Sequence, residues 1–216
     1  ILVCLVGSEM CIRDRGIPAP ANAASTSITS GSDDGTQTQY STSYVYTFVS
    51  AFGEEGPPSP ASTVLSKVDG QTVTISGMDT STSKSNTNLA NKRIYRSNTG
   101  SNTTNFQFVK EVSLATASTT DALNNDALAE LIPSTFHIAP PDDDSSTYPN
   151  GQMLGLTAMA NGIFAGFSGK RLCFSEPFLP HAWPVAFRIT LEEEIVGIAM
   201  AGQMLFIATK GTPYMA

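Results

Sequence analysis

The 216-residue chain has few charged residues, few cysteines and no long apolar run. Charged residues make up 14% of the sequence, well below the usual share of about a quarter, and acids outnumber bases by 19 to 12. An acidic chain without Lys/Arg clusters lacks the electrostatic surface of a nucleic-acid binder. No apolar run approaches the roughly 18–20 residues that span a bilayer as a helix. We therefore expect neither nucleic-acid specificity nor a membrane span.

Serine and threonine, rather than charged residues, supply much of the polarity that keeps the chain in solution. The chain has 24 serines and 24 threonines, together with 17 glycines and 13 prolines. This composition is typical of short strands joined by turns, because long solvated helices need more Glu, Lys and Arg. The sequence therefore predicts an all-β protein.

Residues 1–15 are expected to be foreign to the protein. Residues 5–14 read LVGSEMCIRD, which is the translation of a widely used transposase sequencing adapter. The two adapter bases left over restrict the next codon to Arg or Ser, and residue 15 is Arg. A clipped signal peptide fits less well, because the stretch has no basic start and a short apolar run. We expect an assembled environmental sequence whose authentic N- and C-termini are both missing.

Alternating β-favouring residues predict strands through residues 16–132. The pattern is clearest around Tyr44, Tyr46 and Phe48, which alternate with Val45, Thr47 and Val49. Strands are predicted at 25–30, 40–52, 62–68, 71–76, 92–97 and 106–112.

Several details of this region follow from the same patterns. Prolines after residue 56 are expected to end the strand at 40–52, because proline cannot donate to a central ladder. Asp69-Gly70 predicts a hairpin turn between the next two strands. Ile94, Phe106 and Phe108 are expected on the core face. Leucines and alanines that share one face predict a helix at 121–131.

Residues 133–152 read as a linker rich in Pro, Asp and Ser, and composition changes after it. Residues 156–167 and 195–209 each combine two apolar strands with a short turn. They lie about 40 residues apart, a spacing compatible with β-propeller blades. Residues 153–216 are therefore expected to be a truncated propeller-like segment.

The segment YVYTFVSAFGEEGPPS at 44–59 resembles the penultimate strand and following turn of fibronectin type III domains. Residues 61–68 resemble the last strand, 71–77 an early strand, and KRIYRSNTG at 92–100 the third. Residues 106–112 and 118–121 resemble the middle strands. The order is rotated, which implies either a circular permutation or two adjoining half-modules. Both alternatives keep an antiparallel β-sandwich.

The whole arrangement resembles tail proteins of tailed bacteriophages and prophages over roughly 18–216. LTAMANGIFAGFSGKRLCFSEPFLPHAWP and IVGIAMAGQMLFIATKGTPYMA carry this resemblance after the sandwich. It implies a virion component, similar to the propeller-bearing nozzle of short tails or to another tail part.

Phe178, His181 and Trp183 are the candidate interaction anchors. His181 and Trp183 lie between Pro180 and Pro184. Two flanking prolines predict a rigid turn with a packed indole, and a ligand or stacking site is the alternative.

No metal or cofactor site is predicted. Zinc needs three or four clustered ligands, and His137 is the only histidine besides His181. The acids at 142–144, with those at 33–34, lack the alternating spacing of a calcium loop, which favours solvated loops.

No catalytic group is predicted either. Cys173, the one cysteine outside residues 1–15, lies in a strand pattern that favours an inert core position. Glu192, Glu193 and Glu194 read as a solvated turn before a strand, and a sugar-cleaving carboxylate pair would need a positioned partner.

The leading hypothesis is a non-enzymatic structural subunit of a phage tail, nozzle- or hub-like. It would be made in the host cytoplasm and located in the virion, and it would assemble with other tail subunits as a homo-oligomeric ring. The alternative is a surface-exposed fibronectin type III-like module that binds host polysaccharide or receptor. A glycan binder of this kind would present exposed aromatic rings such as Trp183.

Overall fold

The structure is a computed structural model in which the described residues are 17–83, 87–99, 104–132, 137–141 and 148–215. Within them the protein is all-β, with antiparallel strand pairs and three-residue 3₁₀ turns. The chain divides into an N-terminal unit, residues 17–136, and a C-terminal unit, residues 137–216. Residues 1–15, and residues 133–136 and 142–147 of the predicted linker, lie outside the described residues. No helix in the described ranges is long and apolar enough to cross a membrane.

Nine strands form the described part of the N-terminal unit. They are β1 (Ser25–Ser30), β2 (Tyr40–Thr42), β3 (Tyr44–Ser50), β4 (Glu55–Pro58), β5 (Leu65–Lys67), β6 (Thr72–Ser76), β7 (Leu89–Thr99), β8 (Thr104–Ser113) and β9 (Thr119–Asp121). The larger sheet has the order β4-β3-β7-β8 and the smaller sheet β1-β6-β9, while β2 pairs with β5.

The two larger sheets of this unit pack face to face as a β-sandwich. Their buried core residues include Tyr44, Tyr46, Phe48, Val73, Ile75 and Ile94. Val73 and Ile75 come from β6 in the smaller sheet, and the others come from β3 and β7 in the larger one. The pairing of residues 92–97 with 106–112 is confirmed by the antiparallel ladder between β7 and β8.

The expectation that Phe106 and Phe108 share the core face with Ile94 is wrong. The ladder shifts register between Ile94 and Tyr95, so that β8 carries Val109 as an extra residue. A bulge of one residue exchanges the two faces of a strand. Val109 therefore joins the sandwich core, whereas Phe106 and Phe108 pack with Tyr95 on the opposite face of the sheet.

The proline-rich stretch also differs from expectation. Pro57 and Pro58 lie inside β4, at the edge of the larger sheet, where a missing donor is tolerated. The predicted hairpin at Asp69-Gly70 is wrong, although the turn forms. The strand before it, β5, pairs with β2, and the strand after it, β6, pairs with β1 and β9.

Two serines continue the pairing with β3 beyond β4. The amides of Ser59 and Ser62 donate to the carbonyls of Tyr46 and Tyr44, each at 2.8 Å. The Oγ atoms of the same serines accept the amides of Tyr46 at 3.1 Å and Tyr44 at 2.9 Å. Each serine thus supplies both a donor and an acceptor, so a segment interrupted by prolines satisfies the buried backbone of β3.

A buried ion pair links the larger and smaller sheets. Nη1 of Arg96 in β7 lies 2.6 Å from Oδ2 of Asp121 in β9, and both side chains are almost completely buried. The hydroxyl of Tyr44 donates to the same carboxylate at 2.9 Å. The Arg96 guanidinium also donates to the carbonyls of Leu123 at 2.9 Å and Asn124 at 3.1 Å.

This ion pair explains why residues 121–131 form no helix. The Leu123 carbonyl accepts the Arg96 guanidinium, and the Asn124 carbonyl accepts both this guanidinium and the Ala127 amide at 3.2 Å, a 3₁₀ and not an α-helical hydrogen bond. Only a 3₁₀ turn forms, at Asn125–Ala127. The chain then runs beside β8, where the Ile132 amide donates to the Phe106 carbonyl at 2.9 Å. Tertiary hydrogen bonds thus override a weak helical pattern.

Lys92 is a second buried cation of the sandwich. Its Nζ donates to the carbonyls of Asp79 at 2.8 Å and Thr116 at 2.6 Å, and it lies 5.9 Å from the centre of the Tyr46 ring. Burial lowers the pKa of Lys92 to about 8, against the opposing effect of the Asp79 charge. Burial also raises the pKa of Tyr46, to about 12.

Seven strands form the described part of the C-terminal unit. They are β10 (Leu154–Ala158), β11 (Phe164–Ser168), β12 (Arg171–Phe174), β13 (Arg188–Thr190), β14 (Ile195–Ala201), β15 (Met204–Thr209) and β16 (Tyr214–Met215). The first four strands form one antiparallel sheet in chain order, and the last three form another. The hairpins predicted at 156–167 and 195–209 are confirmed as β10–β11 and β14–β15.

The two sheets of the C-terminal unit share one apolar core. The first sheet contributes buried Ala165, Phe167 and Leu172, and the second contributes Leu205 and Ile207. Each sheet therefore covers one face of the other.

We predict that the Arg96–Asp121 pair is a major determinant of sandwich stability. Asp121→Ala should lower the free energy of unfolding by about 3–5 kcal/mol, because it leaves a buried guanidinium without its counter-charge. Glu111→Ala is the control: it removes the carboxylate 2.9 Å from Arg93 in a partly exposed ion pair, and should cost at most about 1 kcal/mol. Urea unfolding followed by circular dichroism measures both. Equal losses for the two variants would contradict the prediction.

We predict that Lys92 gives the protein a distinctive pH dependence. Its folded pKa of about 8 lies below the unfolded value of about 10.4. Between these values the unfolded state binds more protons, so stability should rise with pH. Measurements from pH 8 to 9 stay about one unit below the pKa of unfolded tyrosines, which is about 10.

Lys92→Met should reduce this rise even though it lowers stability throughout, because the variant has no proton to release at this position. The part that remains is expected from Lys67, whose pKa burial also lowers. Urea midpoints at several pH values measure the slope. An unchanged slope in Lys92→Met would assign the effect to another group.

Candidate interaction site

The predicted anchors lie in one loop of the C-terminal unit, between β12 and the 3₁₀ turn Val185–Phe187. Ser175 ends the sheet pairing: its amide donates to the Phe164 carbonyl at 2.8 Å, and its Oγ accepts the Phe164 amide at 2.9 Å. The loop then closes on itself, with the Glu176 amide 2.9 Å from the Ala182 carbonyl. These bonds hold the loop as a defined turn.

Trp183 anchors this loop from the inside. It is 1% exposed and packs with Met153 and Cys173 against the first sheet. Its indole Nε1 donates to the Pro180 carbonyl at 2.9 Å, and its amide donates to the Ile138 carbonyl at 2.6 Å. The expectation of packing within a rigid turn agrees with this position, whereas an exposed Trp183 ring for glycan binding is not present.

Arg188 supports the buried tryptophan. Its Nη2 donates to the carbonyls of Trp183 at 3.0 Å and Ala139 at 3.3 Å. Its guanidinium carbon lies 5.6 Å from the centre of the Tyr148 ring. The arginine thus joins β13 to residues 139 and 148.

Phe178 is the exposed member of the three anchors. Its side chain is 76% exposed, although its backbone is held at a φ of +61°. The Phe178 amide donates to the Gly162 carbonyl at 2.9 Å. A Cβ on Gly162 would lie 2.5 Å from the Phe178 ring, so glycine is required for this close approach. The loop therefore presents one aromatic ring in a fixed position.

His181 lies beside His137. Their ring centres are 6.1 Å apart and nearly parallel, at 22°. His137 is buried and His181 is half-buried. Across the described residues, no group of three or more His, Cys, Asp or Glu side chains is arranged to hold a metal ion.

The other residues singled out by sequence lie in the core or in turns, where they make packing contacts, ion pairs or local hydrogen bonds. Cys173 is buried in β12, and burial raises the pKa of its thiol. Glu194 forms an exposed ion pair with Lys210, in the solvated turn predicted for the three glutamates. Asp33 and Asp34 accept hydrogen bonds from local backbone amides, as turn residues do. The acids at 142–144 lie outside the described residues.

An exposed apolar surface of this unit lies on β14–β16. Met204, Phe206 and Met215 are each more than two-fifths exposed there. The available signal was that β14 and β15 are apolar at successive positions rather than at alternate ones. Strands that are apolar on both faces are typical of sheets covered on both sides.

No protein-family model matches the chain, and no curated protein matches it. Function therefore has to be argued from strand order, packing and exposed side chains.

We predict that the Trp183 cluster contributes to stability, and that Phe178 does not. Met153→Ala should lower the unfolding free energy by about 2–5 kcal/mol, because it leaves a cavity beside the buried indole. Phe178→Ala, at an exposed ring, should change it by less than about 1 kcal/mol. Trp183 is the only tryptophan, so its fluorescence during urea unfolding reports on this cluster. A larger loss for Phe178→Ala would contradict this assignment.

Proposed function

We propose that this protein is a non-enzymatic structural subunit of a bacteriophage tail, forming part of a nozzle- or hub-like assembly. It acts in the virion, where it contacts other tail subunits and further copies of itself. The resemblance of its sequence to tail proteins motivates the proposal. The observation that carries it is a pair of stacked, related sheets in the C-terminal unit.

The stacked sheets support a propeller-like assembly element. The hairpins β10–β11 and β14–β15 are alike in sequence, and Phe164 in β11 corresponds to Leu205 in β15 at an offset of 41 residues. The sheets that contain them pack face to face through Phe167 and Ile207. Sheets of about four antiparallel strands, repeated in this way, are the building blocks of propellers.

The N-terminal unit supports the same proposal through its strand order. In fibronectin type III-like sandwiches the third, penultimate and last strands share one sheet. Here β3, the penultimate-like strand, lies between β7, the third-like strand, and β4. The early-like strand β6 lies beside β9 in the other sheet. This order favours a circularly permuted module whose last strand is β4 at Glu55–Pro58, rather than residues 61–68.

The proposal is non-enzymatic because the reactive groups singled out by sequence are engaged in structure. The Cys173 thiol is packed in the core with a raised pKa. The glutamate run at 192–194 is exposed at a turn, with Glu194 paired to Lys210.

The exposed Phe178 ring favours one alternative, a surface module that binds host polysaccharide or receptor. Aromatic rings held on rigid loops are common in recognition surfaces. Burial of Trp183 removes the larger ring of the predicted anchors from such a surface, so Phe178 is the one aromatic ring among those anchors that supports the alternative.

Proteomics of purified virus particles tests the proposal. Trypsin should release residues 172–188 and 189–210, because each peptide follows an arginine and ends at an arginine or lysine. Both peptides should co-sediment with major capsid protein in particles from the source sample. Detection only in bacterial envelope fractions would support the binding module and overturn the virion assignment.

A further inference from the structure

A short segment before β1, residues 17–24, closes the sandwich core on one side without forming a strand. Both ends of this segment, the strap, are buried in the core, through Ile17 and Ala24. Ile17 fills the space under Gly56 of β4, where a Cβ on the glycine would lie 2.9 Å from the Ile17 Cβ. Because Ala24 leads into β1, the strap runs from an edge strand of the larger sheet to an edge strand of the smaller one.

One carboxylate holds the middle of the strap. Oδ2 of Asp79 accepts the amides of Ala21 at 2.8 Å and Asn22 at 3.1 Å, and Oδ1 accepts the side-chain amide of Asn22 at 2.7 Å. Among the described residues, the one other hydrogen bond to the strap comes from the Tyr46 hydroxyl, which donates to the Asn22 carbonyl at 2.9 Å. Two strap residues are prolines, which have no amide to donate. The bonded backbone amides of the strap thus depend on a single side chain.

The sandwich positions Asp79 without help from the strap. Its amide donates to the Tyr46 hydroxyl at 2.9 Å, and its carbonyl accepts Nζ of Lys92 at 2.8 Å. The preceding residue, Met78, is buried in the core, and its amide donates to the Ala117 carbonyl at 3.3 Å. The carboxylate therefore stays in place when the strap leaves it.

Asp79 is the described group at this latch whose charge changes between neutral and acidic pH. Burial raises its pKa, but the hydrogen bonds from Asn22 and Ala21 outweigh burial and hold the pKa below its ordinary value. Lys92 of β7 faces Asp79 from the carbonyl side, and with a pKa of about 8 it remains cationic in acid. Tyr46 of β3, with a pKa raised to about 12, remains neutral.

We propose that the strap is a detachable cover of the sandwich core, latched by the Asp79 carboxylate and released by acid. Protonation removes the charge that the three donors bind, and it converts one acceptor oxygen into a donor. The latch is at full strength at neutral pH and is lost as the pH falls below about 4, through the lowered folded pKa of Asp79.

Release of the strap leaves both sandwich sheets intact, because the strap contributes no strand to either ladder. It opens the apolar core beneath Gly56, at the free edge of the larger sheet. Local opening of this kind costs less free energy than global unfolding. The device lies within the N-terminal unit, so it stands or falls independently of the proposed tail function.

Hydrogen exchange of single amides in the full chain, measured by NMR and corrected for the intrinsic rate at each pH, tests the proposal. In acid, the amides of Ala21 and Asn22 should lose protection and the Ile17 methyl signals should move towards unfolded values. The amides of β6 should stay protected under the same conditions.

Asp79→Asn should have the same effect at neutral pH. It should lower the protection of the Ala21 and Asn22 amides at least about tenfold, because their bonds are no longer charge-assisted. Asp126→Asn is the matched control, since Asp126 is an exposed acid in the 3₁₀ turn Asn125–Ala127. It should leave the strap amides unchanged.

Asn22→Ala attacks the latch from the strap side, at an exposed position where the fold is not at risk. It should lower the protection of the Ala21 amide, and it should have little further effect once Asp79 is replaced by Ala, because the two side chains act through one contact.

Three results would each overturn the proposal. The first is unchanged protection of the strap in Asp79→Asn or in Asn22→Ala, and the second is an equal loss in Asp126→Asn. The third is loss of protection in β6 at the same pH as in the strap, because the strap would then open only when the whole sandwich unfolds.

Discussion

The sandwich of the N-terminal unit depends on one buried electrostatic constraint, the pairing of Arg96 with Asp121 between its two sheets. A buried guanidinium is tolerated only when a counter-charge and further acceptors surround it. Asp121 supplies the charge, and the carbonyls of Leu123 and Asn124 supply the acceptors. The path of the chain after β9 is therefore determined by the needs of a side chain on β7. The Arg96 side chain thus connects β7 to the end of β9 and to the residues after it, although no local sequence pattern relates these segments.

The C-terminal unit is built on a different principle. Its two sheets are held by apolar faces, and its loop is held by the buried Trp183. Apolar packing is non-directional, so a face like that of β14–β16 can be satisfied by any sheet of matching shape. Such a unit is suited to assembly, whereas the sandwich pairs its buried Arg96, Asp121 and Lys92 side chains internally. This contrast is the physical basis of the structural role proposed here.

Local sequence patterns predicted the positions of the strands better than they predicted which strands pair with each other. Alternation around Tyr44 to Phe48 predicted β3, and two apolar hairpins were predicted within a few residues of β10–β11 and β14–β15. The faces of Phe106 and Phe108 were wrong because a single bulge at Val109 exchanges the sides of β8. No local pattern marks a bulge of this kind. The candidate site was predicted in part: the rigid turn, its prolines and the packed Trp183 indole were expected, but the exposure of the Phe178 ring was not.

The sequence by itself determined the all-β class, the strand segments and the turn-rich loops, because alternation, β-branched residues, glycine and proline act over a few neighbouring positions. Only the tertiary structure decided which strands share a sheet and that β4 is the strand paired with β3, with Ser62 extending that contact. It also decided that Arg96 binds carbonyls after β9 where the local pattern predicts a helix. It also decided that Trp183 is buried while Phe178 and the outer face of β14–β16 are exposed. These outcomes depend on contacts between residues that are distant in sequence. A local sequence pattern carries no information about which distant residue will pair with a given buried group.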